Sequence, residues 1–250
     1  MTAIQHLWLP APTNLTLLPD EIHVWRIDLD QPELHLQNLA ATLSSDEMAR
    51  AERFYFKEHR QRFIAGRGIL RTILGRYLGI QPRQVQFNYQ QRGKPVLADT
   101  FADSRLAFNL SHSQGLGLCA VNCTCPIGVD LEYIRPMSDL EALAKRFFLP
   151  REYEMLRSLS PNQQQEVFFR YWTCKEAYLK ATGEGLTQLG QVEVSLTPGE
   201  PRQLLSIGKD SQAAARWSLQ ALTPAPDYVA TLAVEGHDWH LSCWQWSTEV

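Results

Sequence analysis

The sequence predicts an α+β fold built from two similar halves, each an antiparallel sheet packed with a long helix. Three observations carry this expectation. Short segments that alternate apolar and polar residues recur along the chain, as strands with one buried face do. Two long stretches keep the apolar period of a helix and stop at Gly79 and near Gly183. The order helix, strand, strand, strand then occurs twice at similar spacing.

The elements follow in order. Glu21–Asp28 alternates and reads as a strand, with Ile22, Val24 and Ile27 mostly on one side. Ser44-Ser45-Asp46-Glu47 is a capping box that opens a helix. Lys57–Leu78 is a helix whose stripe is Phe63, Leu70, Leu74 and Tyr77. Strands are expected at 84–89, 105–110, 116–121 and 127–133. Arg92–Pro95 reads as a turn and Ser111–Gly115 as a loop. Helices follow at 138–148, 151–158 and 163–181, then strands at 191–196, 216–221, 228–234 and 240–246. Gln84–Phe87 corresponds to Gln191–Val194, Arg105–Phe108 to Arg216–Leu219, and Leu116–Val121 to Val229–Val234. The junction falls between Asn122 and Pro126, which divides the chain into 1–123 and 124–250. A cleft between two such halves is a natural ligand site.

Composition narrows the function. The chain has 250 residues, enough to bury a substantial core, with 44% hydrophobic and 20% charged residues. Its formal charge of -3 argues against a general nucleic-acid binder. No apolar run is long enough to span a membrane, and Met1–His6 lacks the basic and apolar pattern of an export leader. Five cysteines, an odd number at low density, point to reduced thiols in the cytoplasm. Cys123-Thr124-Cys125 lacks a second ligand pair and reads as a strand exit.

Four places look chemical. Asp130 and Glu132 are two apart on a strand, so their carboxylates share a face, while Val129 and Leu131 face a core. Like charges so close repel unless a cation such as Mg²⁺ lies between them; the alternative is a solvated face. Glu176 and Lys180 share a helix face among Trp172, Tyr178 and Leu179, and Glu176 could add a third carboxylate. Between Arg50 and Arg76, eight basic residues face two acidic ones, a local charge of +6. Arg67 falls within the apolar stripe, so it needs a buried partner: either a phosphate or an internal carboxylate. Asn109-Leu110-Ser111-His112-Ser113 supplies hydroxyls and an imidazole suited to an oxyanion. The adjacency of Ser111 and His112 does not suit a nucleophile–base pair.

Taken in order, Phe54-Tyr55 with the arginine-rich helix, Gly93-Lys94-Pro95, Asn109–His112, Gly128–Glu132 and Trp172–Lys180 resemble the Sfp-type 4'-phosphopantetheinyl transferases. The resemblance runs from about residue 47 to 186, and its last two motifs are the most specific. It implies a pseudo-twofold fold with the active site between the halves. It also implies transfer of 4'-phosphopantetheine from coenzyme A to a serine of an apo acyl or peptidyl carrier protein, releasing adenosine 3',5'-bisphosphate. Such carriers serve fatty-acid, polyketide or nonribosomal-peptide synthesis.

By the same resemblance, Asp130, Glu132 and Glu176 would hold Mg²⁺, or Mn²⁺ in its place. Glu176 would be the base, with an activated water as its rival; Asp130 would share in catalysis, and Lys180 and Lys175 would neutralise developing charge or bind phosphate. Arg50, Arg67, Arg71, Lys94, Asn109, Ser111, His112, Lys175 and Lys180 would bind coenzyme A. A basic face from Arg50 to Arg76, with the helices after Met137, would meet an acidic carrier. One chain would carry the whole site, so a monomer would suffice. Two other readings remain open: a Mg²⁺-dependent hydrolase of nucleotides or coenzyme A, and a noncatalytic module that binds carrier proteins.

Overall fold

A computed structural model describes residues 6–197 and 200–247 of the chain. Residues 1–5, part of the stretch read above for an export leader, lie outside the described residues. The strands are β1 Leu9–Pro10, β2 Glu21–Asp28, β3 Phe87–Tyr89, β4 Pro95–Leu97, β5 Ala107–Ser113, β6 Leu116–Asn122, β7 Ile127–Tyr133, β8 Val192–Ser195, β9 Gln203–Ile207, β10 Trp217–Leu222, β11 Tyr228–Glu235 and β12 His240–Gln245. The helices are α1 Glu33–Ala40, α2 Ser45–Ala51, α3 Lys57–Leu78, α4 Leu140–Phe147, α5 Pro150–Arg157, α6 Pro161–Thr182 and α7 Ser211–Ala214.

The internal repeat is plain in the topology. One sheet contains β2, β6 and β5 in that order; the other is β7, β11 and β10. Within each trio all pairings are antiparallel. Each half also has a 22-residue helix, α3 or α6, closed by a glycine in the left-handed conformation, Gly79 or Gly183. A small hairpin follows each helix, β3–β4 or β8–β9.

Burial explains the layering. The α3 face of the first sheet buries Trp25, Ile27, Ile69, Leu70, Ile73 and Leu74. The α6 face of the second buries Phe168, Phe169, Cys174, Ala177, Val229 and Ala233. The opposite strand faces meet in a third core of Ile22, Val24, Leu118, Ala120, Val129, Leu131, Ala230 and Leu232. The order is therefore helix, sheet, sheet, helix. β6 and β11 are covered on both faces, hence their near-continuous apolar runs.

Four details differ from expectation. β12 pairs parallel to β2 in the first sheet, and β1 pairs parallel to β12, so that sheet is mixed. The strand expected at 84–89 is only Phe87–Tyr89, because Pro82 opens a 3-10 turn through Gln84. Ser111 to Ser113 is strand and not loop, because its main chain pairs with Leu116–Leu118 of β6. Helix α1 and strand β9 were not expected. α1 buries only Leu36 and Leu39, and β9 is a short segment with mixed burial.

Candidate active site

The alternation of β7 turns Gly128, Asp130 and Glu132 toward α6. Gly128 sets the distance: a Cβ there would collide with the backbone of Ala177 and Ala181. The bare glycine lets α6 lie directly on the strand, which brings Glu176 and Lys180 against the two strand carboxylates. Thr173 bonds Thr231 across the same interface at 3.0 Å.

Asp130 is buried, and its Oδ1 accepts from Lys180 Nζ at 2.6 Å and from Ser111 Oγ at 3.1 Å. Lys180 Nζ also donates to Ser111 Oγ at 2.8 Å. Glu132 Oε2 accepts from Ser113 Oγ at 3.1 Å and faces Arg135 at 3.5 Å. Asp130 Oδ2 and Glu176 Oε1 are buried and have no hydrogen-bond partner among the described residues. Buried carboxylate oxygens without partners are costly, and they mark places where a cation or donor is missing.

The electrostatics follow. Burial, then the Asp130 and Glu132 charges, push the Glu176 carboxyl up to about 7 against the opposing pull of Lys180. Burial and Asp130 raise Glu132 above its ordinary value as well. Partial desolvation and the Lys180 ammonium hold the His112 imidazole below its ordinary value. Among the described residues, no three His, Cys, Asp or Glu side chains stand close enough to enclose a metal ion by themselves. The unpartnered oxygens nonetheless fit a hard cation that completes its shell with water and substrate oxygens.

Other expected coenzyme-binding residues stand elsewhere. Arg67 and Arg71 are buried, and both donate Nε to Glu47, at 3.0 and 2.7 Å. Arg71 also donates to the Val85 carbonyl at 2.6 Å. The internal carboxylate, one of the two partners open for Arg67, is the one found. Lys175 is fully buried on the far side of α6 from the cleft and pairs with Glu152 at 2.6 Å, donating also to the Leu189 carbonyl at 3.2 Å. It binds nothing in the cleft, because its ammonium is enclosed by the core.

Lys94 reaches across from the first half to the Ala181 carbonyl at 2.9 Å, near the C-terminus of α6, and burial lowers its pKa to about 8. Arg50 lies over the Phe63 ring and lines an open cavity of about 620 Å³ with Asp46, Glu47, Arg53, Phe54 and Tyr89. Asn109 points at the backbone of β7, not at open space.

Three residues carry weight that sequence reasoning did not assign. Glu47 was credited only with its local cap, and Glu152 was not singled out. Both are the third residue of a short helix, both cap its N-terminus, and both pair with a cation on the following long helix. The matching positions in the two halves are the signal. The sequence places Ser113 in a loop; the two-residue spacing Asn109, Ser111, Ser113 is the signal for a strand face.

Comparison with known proteins gives the family. Residues 126–233 match the family described as "4'-phosphopantetheinyl transferase superfamily". Residues 30–124 match "4'-phosphopantetheinyl transferase, N-terminal". The chain is 64% identical to 4'-phosphopantetheinyl transferase HetI of Nostoc sp. (strain PCC 7120) over 243 residues, 97% of this chain and 100% of that protein. It is 32% identical to 4'-phosphopantetheinyl transferase Sfp of Bacillus subtilis (strain 168), over 69% of this chain and 80% of that one. Among the described residues, no helix is long and apolar enough to cross a membrane. With the cluster of carboxylates and Lys180 between two repeated halves, these likenesses identify the chain as a member of the 4'-phosphopantetheinyl transferase family, of the Sfp type.

Proposed function

We propose that the chain moves 4'-phosphopantetheine from coenzyme A to a serine of an apo carrier protein at the cleft of Asp130, Glu132, Glu176 and Lys180. The observation that carries this site is the pair of buried, unpartnered oxygens, Asp130 Oδ2 and Glu176 Oε1, beside a lysine at hydrogen-bond distance. Asp130, Glu132 and Glu176 would hold Mg²⁺, or Mn²⁺, with the coenzyme pyrophosphate completing its shell. Bound there, the ion neutralises phosphoryl oxygens and steadies the leaving group.

The chain's own groups do the rest. The serine oxygen bonds to the phosphorus that carries pantetheine. The pyrophosphate P–O bond breaks, and adenosine 3',5'-bisphosphate leaves with the electron pair. Glu176 takes the serine proton, with a water activated in the carboxylate cluster as the rival base. Lys180 stands between Asp130 and the cleft and offsets charge on the leaving phosphate. Ser111 orients that lysine, and His112 lies next to it on β5 to meet a phosphate. Lys94, which reaches the end of α6, and Arg50, which lines the open cavity beside Tyr89, are assigned to the adenylate end. Arg67, Arg71 and Lys175 hold the fold.

The site draws on β5, β7 and α6 of one chain, which supports action as a monomer. All five cysteines are unpaired thiols, which supports a cytoplasmic setting. The two halves, 1–123 and 124–250, are best described as one catalytic unit.

The test is intact-protein mass spectrometry of apo carrier proteins mixed with the chain, coenzyme A and Mg²⁺. A gain of one phosphopantetheine, absent without metal, supports the reading. Consumption of coenzyme A with no carrier mass gain favours a hydrolase. Carrier binding without any turnover favours a noncatalytic module.

A further inference from the structure

β5 and β7 lie side by side with no main-chain ladder between them among the described residues. Side chains do that work. Asn109 Oδ1 accepts the Val129 N–H at 2.9 Å, Ser111 Oγ the Leu131 N–H at 3.2 Å, and Ser113 Oγ the Tyr133 N–H at 3.1 Å. The step is two residues on both strands. One face of β5 therefore acts as a comb that satisfies the outward N–H groups of an edge strand.

Two teeth of the comb have a second bond. Ser111 Oγ donates to Asp130 Oδ1, and Ser113 Oγ donates to Glu132 Oε2, each at 3.1 Å. A hydroxyl has one proton and two lone pairs, so an accepted N–H leaves its proton for the carboxylate. The hydroxyl that joins the two halves thus also aims a site carboxylate. Ser113 does so for Glu132, whose one ion pair among the described residues is the long one to Arg135.

We propose that Ser113 is a positioning residue of the transferase site: it holds Glu132 toward Asp130 and Glu176 while it closes the seam between the halves. The proposal rests on the reading of those three carboxylates as a metal site. It makes the seam and the site one structure, so that a slip between halves misaims the carboxylates.

The experiment follows Mn²⁺ uptake by the electron paramagnetic resonance of free Mn²⁺. The full chain is used with coenzyme A present, and coenzyme A alone is the blank. Wild type, Ser113→Ala and Ser113→Thr are compared, with urea midpoints for each. Ser113→Ala is expected to weaken Mn²⁺ binding by about tenfold, and Ser113→Thr, which keeps the hydroxyl, to restore it. Where Ser113→Ala does not fold, Ser113→Cys keeps the size, weakens both bonds and carries the same expectation. Lower urea stability with unchanged Mn²⁺ affinity would overturn the proposal and leave a purely structural seam. So would a folded Ser113→Thr that loses affinity although it keeps the hydroxyl. If the wild type takes up no Mn²⁺ beyond the blank, the metal reading itself fails, and the proposal fails with it.

Discussion

At the scale of single residues, burial separates the charges that face the cleft from those enclosed in the core. Lys175 and Lys180 are five apart on α6, yet one is enclosed with Glu152 and the other faces Asp130. Both fall in the most specific stretch of sequence, and only burial tells them apart. Motif membership alone could not separate them, because neighbouring positions of a motif face different sides of a helix. Glu176 carries the clearest prediction. Its folded pKa of about 7 lies above the ordinary value of 4.5. In metal-free protein the folded state therefore keeps this proton while the unfolded chain releases it. Stability from this group is full below pH 4.5 and is lost as pH rises to about 7, by ~3 kcal/mol. Urea titrations of wild type and Glu176→Gln across this window should show the wild type losing ground steadily to the variant. The same variant should transfer at least about a hundredfold more slowly while folding normally, as carrier mass spectra will register.

At the scale of elements, each half uses the same internal device. A capping glutamate on a short helix, Glu47 or Glu152, neutralises a cation at the fifteenth residue of a long one, Arg71 or Lys175. Removing one partner strands a buried charge. Glu152→Ala should cost about 3–5 kcal/mol. The double change Glu152→Leu with Lys175→Met should cost far less than the sum of its parts. Chemical denaturation of the four proteins of that cycle checks the coupling. The close seat of α6 on β7 depends on Gly128. Gly128→Ala should push the helix outward, lower the melting temperature and reduce transfer together. The long helices, their glycine stops and most strands were legible in the sequence, because period and punctuation are local properties. The comb of Asn109, Ser111 and Ser113 was not, because β5 finds its partner through side chains and the partner lies 20 residues on.

At the scale of the molecule, the repeat is structural but its chemistry is one-sided. The second half supplies Asp130, Glu132, Glu176 and Lys180; the first supplies Ser111, Ser113 and His112 from β5 and Lys94 from the hairpin turn. Both halves contribute to the proposed site. The chain's last strand, β12, returns to pair with β2 in the first sheet, a pairing that alternation could mark as a strand but could not place. Deleting residues from 238 onward should therefore unfold both halves in one transition, seen as coincident loss of tryptophan fluorescence and circular dichroism. In the proposed mechanism, three carboxylates from β7 and α6 would hold a divalent cation on the pyrophosphate of coenzyme A. The most direct test is the anomalous scattering of Mn²⁺ in crystals of the chain with coenzyme A. One strong peak is expected at bonding distance from Asp130, Glu132, Glu176 and the pyrophosphate oxygens. A peak bound to coenzyme A alone, or one seated away from these carboxylates, would contradict it.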